Sequence, residues 1–153
     1  MGKRKILAVA SIGGHWVQLL RISKSLEEKY DVVYLSTHPK CSKMVEGNKY
    51  YLIQDFSRWD AWKLIPSLFR NFYIILKERP DAIITTGAAP GLVCLFAGKL
   101  LFRKTIWIDS IANVQHLSAS GRMASKFATR VYTQWKDLSD NKILFAGNVL
   151  GEL

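Results

Sequence analysis

Cysteine, acid and long apolar runs are all in short supply in this sequence. Its two cysteines, Cys41 and Cys94, form no C-x-x-C pair and offer no disulfide framework. That pattern points to a reducing, cytosolic compartment. His38 and His116 have no neighbours at metal-ligand spacing, so neither a metal nor another cofactor is expected. No stretch reaches the ~18–20 apolar residues of a spanning helix. Residues 6–10 are apolar, but that run is too short for a signal-peptide core and ends in a glycine turn. The dinucleotide pattern G-x-G-x-x-G would need glycines where His15, Trp16 and Val17 stand, and no Walker-type Gly-Lys-Ser/Thr follows. An enzyme built on NAD or ATP is thereby disfavoured. With 12 Asp+Glu against 22 Lys+Arg, the formal net charge is +10. An anionic partner fits that balance. Nucleic acid does not, because the cations are scattered and no RNP, zinc-finger or helix–turn–helix pattern is present.

What is present is a chain of 153 residues, 49% hydrophobic. That is enough for one packed domain spanning residues 1–153 and too apolar for intrinsic disorder. Strand and helix patterns alternate from end to end. Strands are expected at 5–12, 31–37, 50–54, 82–86, 105–109 and 130–135. Helices are expected at 15–29, with Val17, Leu20 and Leu26 turned inward, at 58–79, from the turn after 86 to about 102, and at 120–127. Alternation of this kind implies βα units and an α/β fold with a parallel sheet. The near-continuous apolar strands suggest a sheet covered on both faces. A single Rossmann-like, doubly wound sheet with the first strand central follows from the right-handed crossover rule.

In such a sheet, ligands sit beyond the carboxyl ends of the strands, near the switch point. Three segments fall there. Ser11-Ile12-Gly13-Gly14-His15 closes the first strand and opens a helix. Its glycines permit close backbone approach, and the helix-start N–H groups favour a phosphate or diphosphate. His15 is placed to hydrogen-bond a phosphate, to accept a proton from a substrate hydroxyl, or to cap the helix. Thr85-Thr86-Gly87-Ala88-Ala89-Pro90-Gly91 is a second anion-friendly turn, with the Thr86 hydroxyl and Gly87 at its entrance. In the third segment, Asp109, Ser110 and Asn113 end a strand. There Asp109 and Asn113 suit sugar hydroxyls, while Asp109 is alternatively a base or a loop anchor.

Residues 60–78 read as a helix of roughly 28 Å, at 1.5 Å per residue. Pro66 is expected to kink or break it. It carries more apolar surface than one core-facing stripe needs. Trp59, Trp62, Phe69, Arg70 and Phe72 read as a lipid-facing set, suited to the headgroup region of an anionic membrane or, alternatively, to a partner chain.

Taken together, Ser-Ile-Gly-Gly-His at 11–15, Ile-Thr-Thr-Gly-Ala-Ala-Pro-Gly at 84–91, and Trp-Ile-Asp-Ser-Ile-Ala-Asn-Val at 107–114 resemble a known family. Leu-Ser-Ala-Ser-Gly-Arg at 117–122 and Val-Tyr-Thr-Gln-Trp at 131–135 extend the match. The family is the acceptor-side, membrane-associating subunit of two-chain UDP-sugar glycosyltransferases. It includes the dolichyl-diphosphate chitobiose-forming subunit and the PssD-type proteins of bacterial exopolysaccharide assembly. The chain is similar to the N-terminal half of MurG-type GT-B enzymes. The resemblance implies that a separate donor-binding glycosyltransferase subunit brings the UDP-sugar and that this chain holds a lipid-diphosphate saccharide. It implies a peripheral position on the cytoplasmic face of the membrane. His15 and Asp109 become catalytic candidates, and Gly13, Gly14, Thr86, Gly87, Ser110 and Asn113 become acceptor and diphosphate contacts. A family-type N-terminal transmembrane helix is not expected ahead of the first strand, which shifts attachment onto the aromatic helix. A non-catalytic adaptor and a free-standing nucleotide-binding enzyme remain the alternatives.

Overall fold

The computed structural model describes residues 2–151. Seven strands form one parallel sheet: β1 (Lys5–Val9), β2 (Asp31–Ser36), β3 (Tyr50–Leu52), β4 (Ala82–Thr85), β5 (Lys104–Ile108), β6 (Arg130–Thr133) and β7 (Ile143–Phe145). They lie in the order β3-β2-β1-β4-β5-β6-β7, with the first strand interior as expected. Four α-helices cross between them: α1 (Gly14–Leu26), α2 (Leu64–Glu78), α3 (Ala88–Leu100) and α4 (Ala119–Ala124). Among the described residues, no helix is long and apolar enough to cross a membrane.

The strands' two-residue period divides the core. Leu7, Val9, Val33, Leu35, Ile83 and Trp107 face the layer of α2, α3 and α4, where they meet Ile74, Ile75, Cys94 and Leu95. Each fully buried aliphatic side chain there contributes about 1.5–3 kcal/mol. The alternate residues Ala8, Val32 and Tyr34 face α1 and the 3-10 helix Pro39–Val45, against Trp16, Leu19 and Cys41. Cover on both faces therefore holds for β1 and β2 and reaches Ile84 of β4, which is buried in the same cluster. On the α1 side, Ile106, Ile108, Tyr132 and Leu144 stay partly open, and no helix of the described residues crosses them. Two clefts, of about 510 and 540 Å3, lie on this bare half-face.

Several local expectations change. β1 stops at Val9, because the glycine turn takes over the end of the expected strand. In α1 the inward residues are Trp16, Leu19 and Ser23, so Val17 is exposed, while Leu20 and Leu26 are half-buried. Trp16 sets the phase of the helix, one position ahead of the aliphatic reading. Pro66 neither kinks nor breaks α2. It is the third residue of the helix, where its missing N–H falls among those with no intrahelical acceptor. The irregularity lies earlier, at Asp60 (φ −104°, ψ 38°), inside the 3-10 helix Arg58–Lys63. β7 was not anticipated, since three residues carry too little alternation to read.

At the amino edge, the last residue of α2 fastens three elements. The Glu78 carboxylate is buried and accepts hydrogen bonds from Lys5 Nζ and Lys49 Nζ, both at 2.9 Å, and from the Tyr51 hydroxyl. Desolvation works against ionisation there, but the three donors outweigh it and hold the carboxyl at about 2 instead of its usual 4.5. A depressed folded-state value stabilises fully above 4.5 and is lost as pH falls from there towards 2. The urea midpoint is therefore expected to be flat near neutrality and to drop through that acid window. Glu78→Gln should remove roughly 2 kcal/mol at pH 7 and flatten the acid limb. An unchanged acid limb in the variant would assign it to other groups.

Candidate active site

Because β1 pairs with β4 and β4 with β5, the three segments singled out above emerge side by side at the carboxyl edge. The first two are clasped together. His15 Nδ1 lies 3.0 Å from the Thr86 carbonyl oxygen, and the Thr86 hydroxyl donates to the His15 carbonyl oxygen at 2.6 Å. A carbonyl oxygen only accepts, so Nδ1 carries the proton of this bond. In the neutral ring, Nε2 then holds the unshared pair. Thr86 is fully buried and His15 half-buried, so the clasp is anchored at one end and accessible at the other.

Gly87 has φ +133°, and a Cβ there would stand 2.7 Å from His15 Nδ1 and 2.8 Å from Cε1. The imidazole lies against bare backbone that no other residue type supplies. Gly13 (φ +105°) is needed for its conformation instead. Gly14 has no such constraint: an added Cβ meets no atom within 4 Å. Neither α1 nor α3 begins with a side-chain cap or a first-turn carboxylate. The first-turn N–H groups of α1, and those of Ala88 and Ala89 in α3, where Pro90 has none, therefore stay available to an anion. Gly87's own N–H is directed inward, to Thr85 Oγ1 at 3.2 Å.

The third segment forms a separate cluster. Asp109 is 1% exposed. Its Oδ1 accepts from Trp107 Nε1 (2.9 Å) and the Ser118 hydroxyl (2.6 Å). Its Oδ2 accepts from the Ser118 N–H (2.9 Å) and Asn113 Nδ2 (3.0 Å). The Asn113 amide and the Asp109 carboxylate are thus committed to one another and to the loop. Ser110 Oγ likewise accepts from Gln18 Nε2 (3.1 Å) and the Ala112 N–H (3.2 Å).

Two glutamines join this cluster to the rest: Gln18, which the sequence analysis does not single out, and Gln134, which it places only within the Val-Tyr-Thr-Gln-Trp segment. Gln18 Oε1 accepts from the Ile111 N–H (3.1 Å) and from Gln134 Nε2 (2.7 Å). Gln134 Nε2 also donates to the Asp109 carbonyl at 2.9 Å, and its Oε1 accepts from the Val149 N–H at 2.9 Å. One signal could have found Gln18: it shares the inward side of α1 with Trp16 and Leu19, where an unpaired amide is costly.

The family model described as "Oligosaccharide biosynthesis protein Alg14 like" matches residues 53–149. The chain belongs to that family. Among curated relatives of this Alg14-like chain is the UDP-N-acetylglucosamine transferase subunit ALG14 of Mus musculus, 26% identical over 95% of the chain and 83% of the relative. A UDP-N-acetylglucosamine--N-acetylmuramyl-(pentapeptide) pyrophosphoryl-undecaprenol N-acetylglucosamine transferase of Geobacillus thermodenitrificans is 21% identical over 99% of the chain and 47% of the relative. The crystal structure of Acinetobacter baumannii MurG superposes with a TM-score of 0.79 at 15% identity, over 95% of the chain and 46% of MurG. The Alg14-like chain thus spans about half the length of the transferases it matches and has the fold of the N-terminal half of a GT-B enzyme.

On the helical layer, Trp59, Trp62 and Phe69 are 81%, 72% and 67% exposed, and Arg70 is exposed beside them. Phe72 departs from the expected set. It is half-buried against the core under α2, because it shares the inward phase of Ile75 rather than the outward phase of Phe69 and Tyr73.

The clasp makes a direct spectroscopic prediction. In ¹⁵N NMR, the neutral imidazole of His15 in this Alg14-like chain should be dominated by the Nδ1–H tautomer. Gly87→Ala, which pushes a methyl group into the ring and forces an unfavourable φ, should abolish that preference and cost about 1–3 kcal/mol. Gly14→Ala should do neither. Retention of the tautomer in Gly87→Ala would remove the clasp as its cause.

Proposed function

We propose that this chain, folded as a single domain, is the acceptor-binding and membrane-docking subunit of a heteromeric UDP-sugar glycosyltransferase. It acts on a lipid-diphosphate-linked saccharide at the cytoplasmic face of a membrane, to which it is peripherally attached. One observation carries the reading: an imidazole whose Nδ1 is held by the Thr86 carbonyl, leaving Nε2 unshared, between two helix starts that carry no side-chain cap. The acceptor diphosphate spans the Gly13–Gly14 turn and the start of α3, held by backbone N–H groups. As the acceptor hydroxyl attacks the sugar's anomeric carbon and the bond to UDP breaks, His15 Nε2 takes the hydroxyl proton. Thr86 holds the ring in the required tautomer. Asp109, with all four of its hydrogen bonds internal, shapes loop 109–118 and is a positioning residue rather than a base. Ser110 and Asn113 act through the same loop.

Support for a second chain comes from the sheet. A relative of comparable length is named as a transferase subunit, and among the described residues half of one sheet face has no helical cover. A donor-binding subunit packed there would bury Ile106 and Tyr132. Ile106→Glu with Tyr132→Glu is expected to leave the chain folded and to lower partner affinity at least about a hundredfold. Unchanged association would place the partner elsewhere.

Reconstituted with a donor-binding chain, the complex should transfer sugar, while either chain alone should not. His15→Ala in the complex is expected to lower transfer by about 10²–10⁴-fold with the partner still bound. Full transfer by that variant would favour a non-catalytic adaptor, and transfer by the isolated chain would favour a free-standing enzyme.

A further inference from the structure

The apolar surface of the helical layer does not end near the turns. In a parallel sheet the helices run against the strands, so α2 and α3 both start at the carboxyl edge and finish at the amino edge. α2 is about 22 Å long. Ile65, Phe69, Tyr73 and Leu76 recur on its outer side at helical spacing, each more than half exposed. The neighbouring α3 presents Phe96 and Leu100 outward, one turn apart, and is followed by Phe102. Phe102 is 96% exposed on left-handed backbone, at φ +58°, where glycine would be the relaxed choice. Between the two stripes lies an apolar hollow of about 390 Å3, walled by Leu68, Leu92, Met123 and Phe127.

Charge singles out the occupant. Lys63, Arg70 and Lys77 flank the stripe of α2, and Arg70 and Lys77 stack on the Tyr73 ring at 5.9 and 5.7 Å. Lys99 closes α3 and Lys126 borders the hollow. Along α2, α3 and α4 the sole carboxylate is Glu78, which is buried and paired. An apolar strip edged by Arg70, Lys77, Lys99 and Lys126, with Lys63 paired to the half-exposed Asp60 at its carboxyl-edge end, is complementary to anionic headgroups above acyl chains, where each nearby Lys or Arg strengthens binding about fivefold.

We propose that α2 and α3 meet lipid along their full length, so that the chain lies with its sheet flat over an anionic bilayer instead of standing on its carboxyl edge. This extends the membrane docking proposed above and rests on it. Flat placement turns the bare sheet face towards solvent, where a second chain can reach it. An upright chain would bury Trp59 and Trp62 yet leave Leu76, Leu100 and Phe102 in water.

Co-sedimentation with phosphatidylcholine–phosphatidylglycerol vesicles separates the two orientations. Ile65→Glu with Phe69→Glu alters the carboxyl-edge end, and Leu76→Glu with Leu100→Glu alters the other. Each pair should lower vesicle partitioning at least about tenfold, with circular dichroism and melting unchanged. Release by the first pair alone would overturn the flat placement and leave membrane docking standing. Wild-type chain that stays in the supernatant, or binding indifferent to both pairs, would remove the membrane reading and this inference with it. A spin label at Phe102→Cys gives a second readout, since both native thiols are buried. Flat docking should shield it from aqueous relaxers on vesicle addition, and unchanged aqueous accessibility would overturn the proposal.

Discussion

Parallel strands cannot be joined by a tight hairpin, and each crossover must choose a face of the sheet. Here the first crossover, α1, takes one face, and α2, α3 and α4 take the other. At the boundary between β1 and β4, the chain leaves neighbouring strands in opposite directions, which opens a crevice at their carboxyl ends. The His15–Thr86 clasp lies across that boundary, and its two bonds bind the diverging turns to each other. Each residue offers a side-chain donor to the other's carbonyl, so the arrangement fixes backbone and imidazole together. A lone side-chain contact would fix the ring alone.

The same division of crossovers leaves an imbalance. Among the described residues, β5 and β6 have a packed helical layer beneath them and no helix above, yet Ile106 and Ile108 are as apolar as residues facing a core. On the outer side of α2 and α3, apolar residues face solvent as well. A self-sufficient domain would have little reason to keep two such surfaces on opposite sides. The proposed place between a membrane surface and a partner chain would cover both.

The strand–helix alternation, the parallel sheet and the interior first strand were legible because period and turn chemistry agree along most of the chain. Gly13, Gly87 and Arg79-Pro80 punctuate it where the structure turns. Failures came where tertiary contacts override local pattern. Val17 was read inward because aliphatic spacing ignores the large indole of Trp16, which claims the core first. Pro66 was read as a kink because its position within the helix depends on where the 3-10 segment hands over, and no residue announces that. At the candidate site, the sequence named His15, Thr86 and Gly87 from their turns, and those three do meet. It could not separate them from Asp109, Ser110 and Asn113, since both groups end strands on the same edge. Only the hydrogen bonds show that the second group is turned inward. Gln18 and Gln134 are 116 residues apart, and although Gln134 lies in the Val-Tyr-Thr-Gln-Trp segment nothing there points to Gln18, so their pairing is legible only in the fold.

Charge distribution ties these features together. From Ala82 to Lys136, Asp109 is the only carboxylate, among Lys99, Arg103, Lys104, Arg122, Lys126, Arg130 and Lys136. A carboxylate exposed at the carboxyl edge would oppose any phosphate bound at the start of α3. At ~10 Å and an effective dielectric constant near 20, such a pair repels by about 1.7 kcal/mol. The fold keeps the rigidity a carboxylate gives to a loop while removing most of that opposition. Asp109 is buried, and four donors turn their positive ends towards it. What then faces solvent across the crevice mouth is imidazole, glycine backbone and helix-start N–H groups. The scarcity of acid between Ala82 and Lys136 and the saturation of that segment's one carboxylate therefore serve the same end, seen first in composition and then in hydrogen bonds.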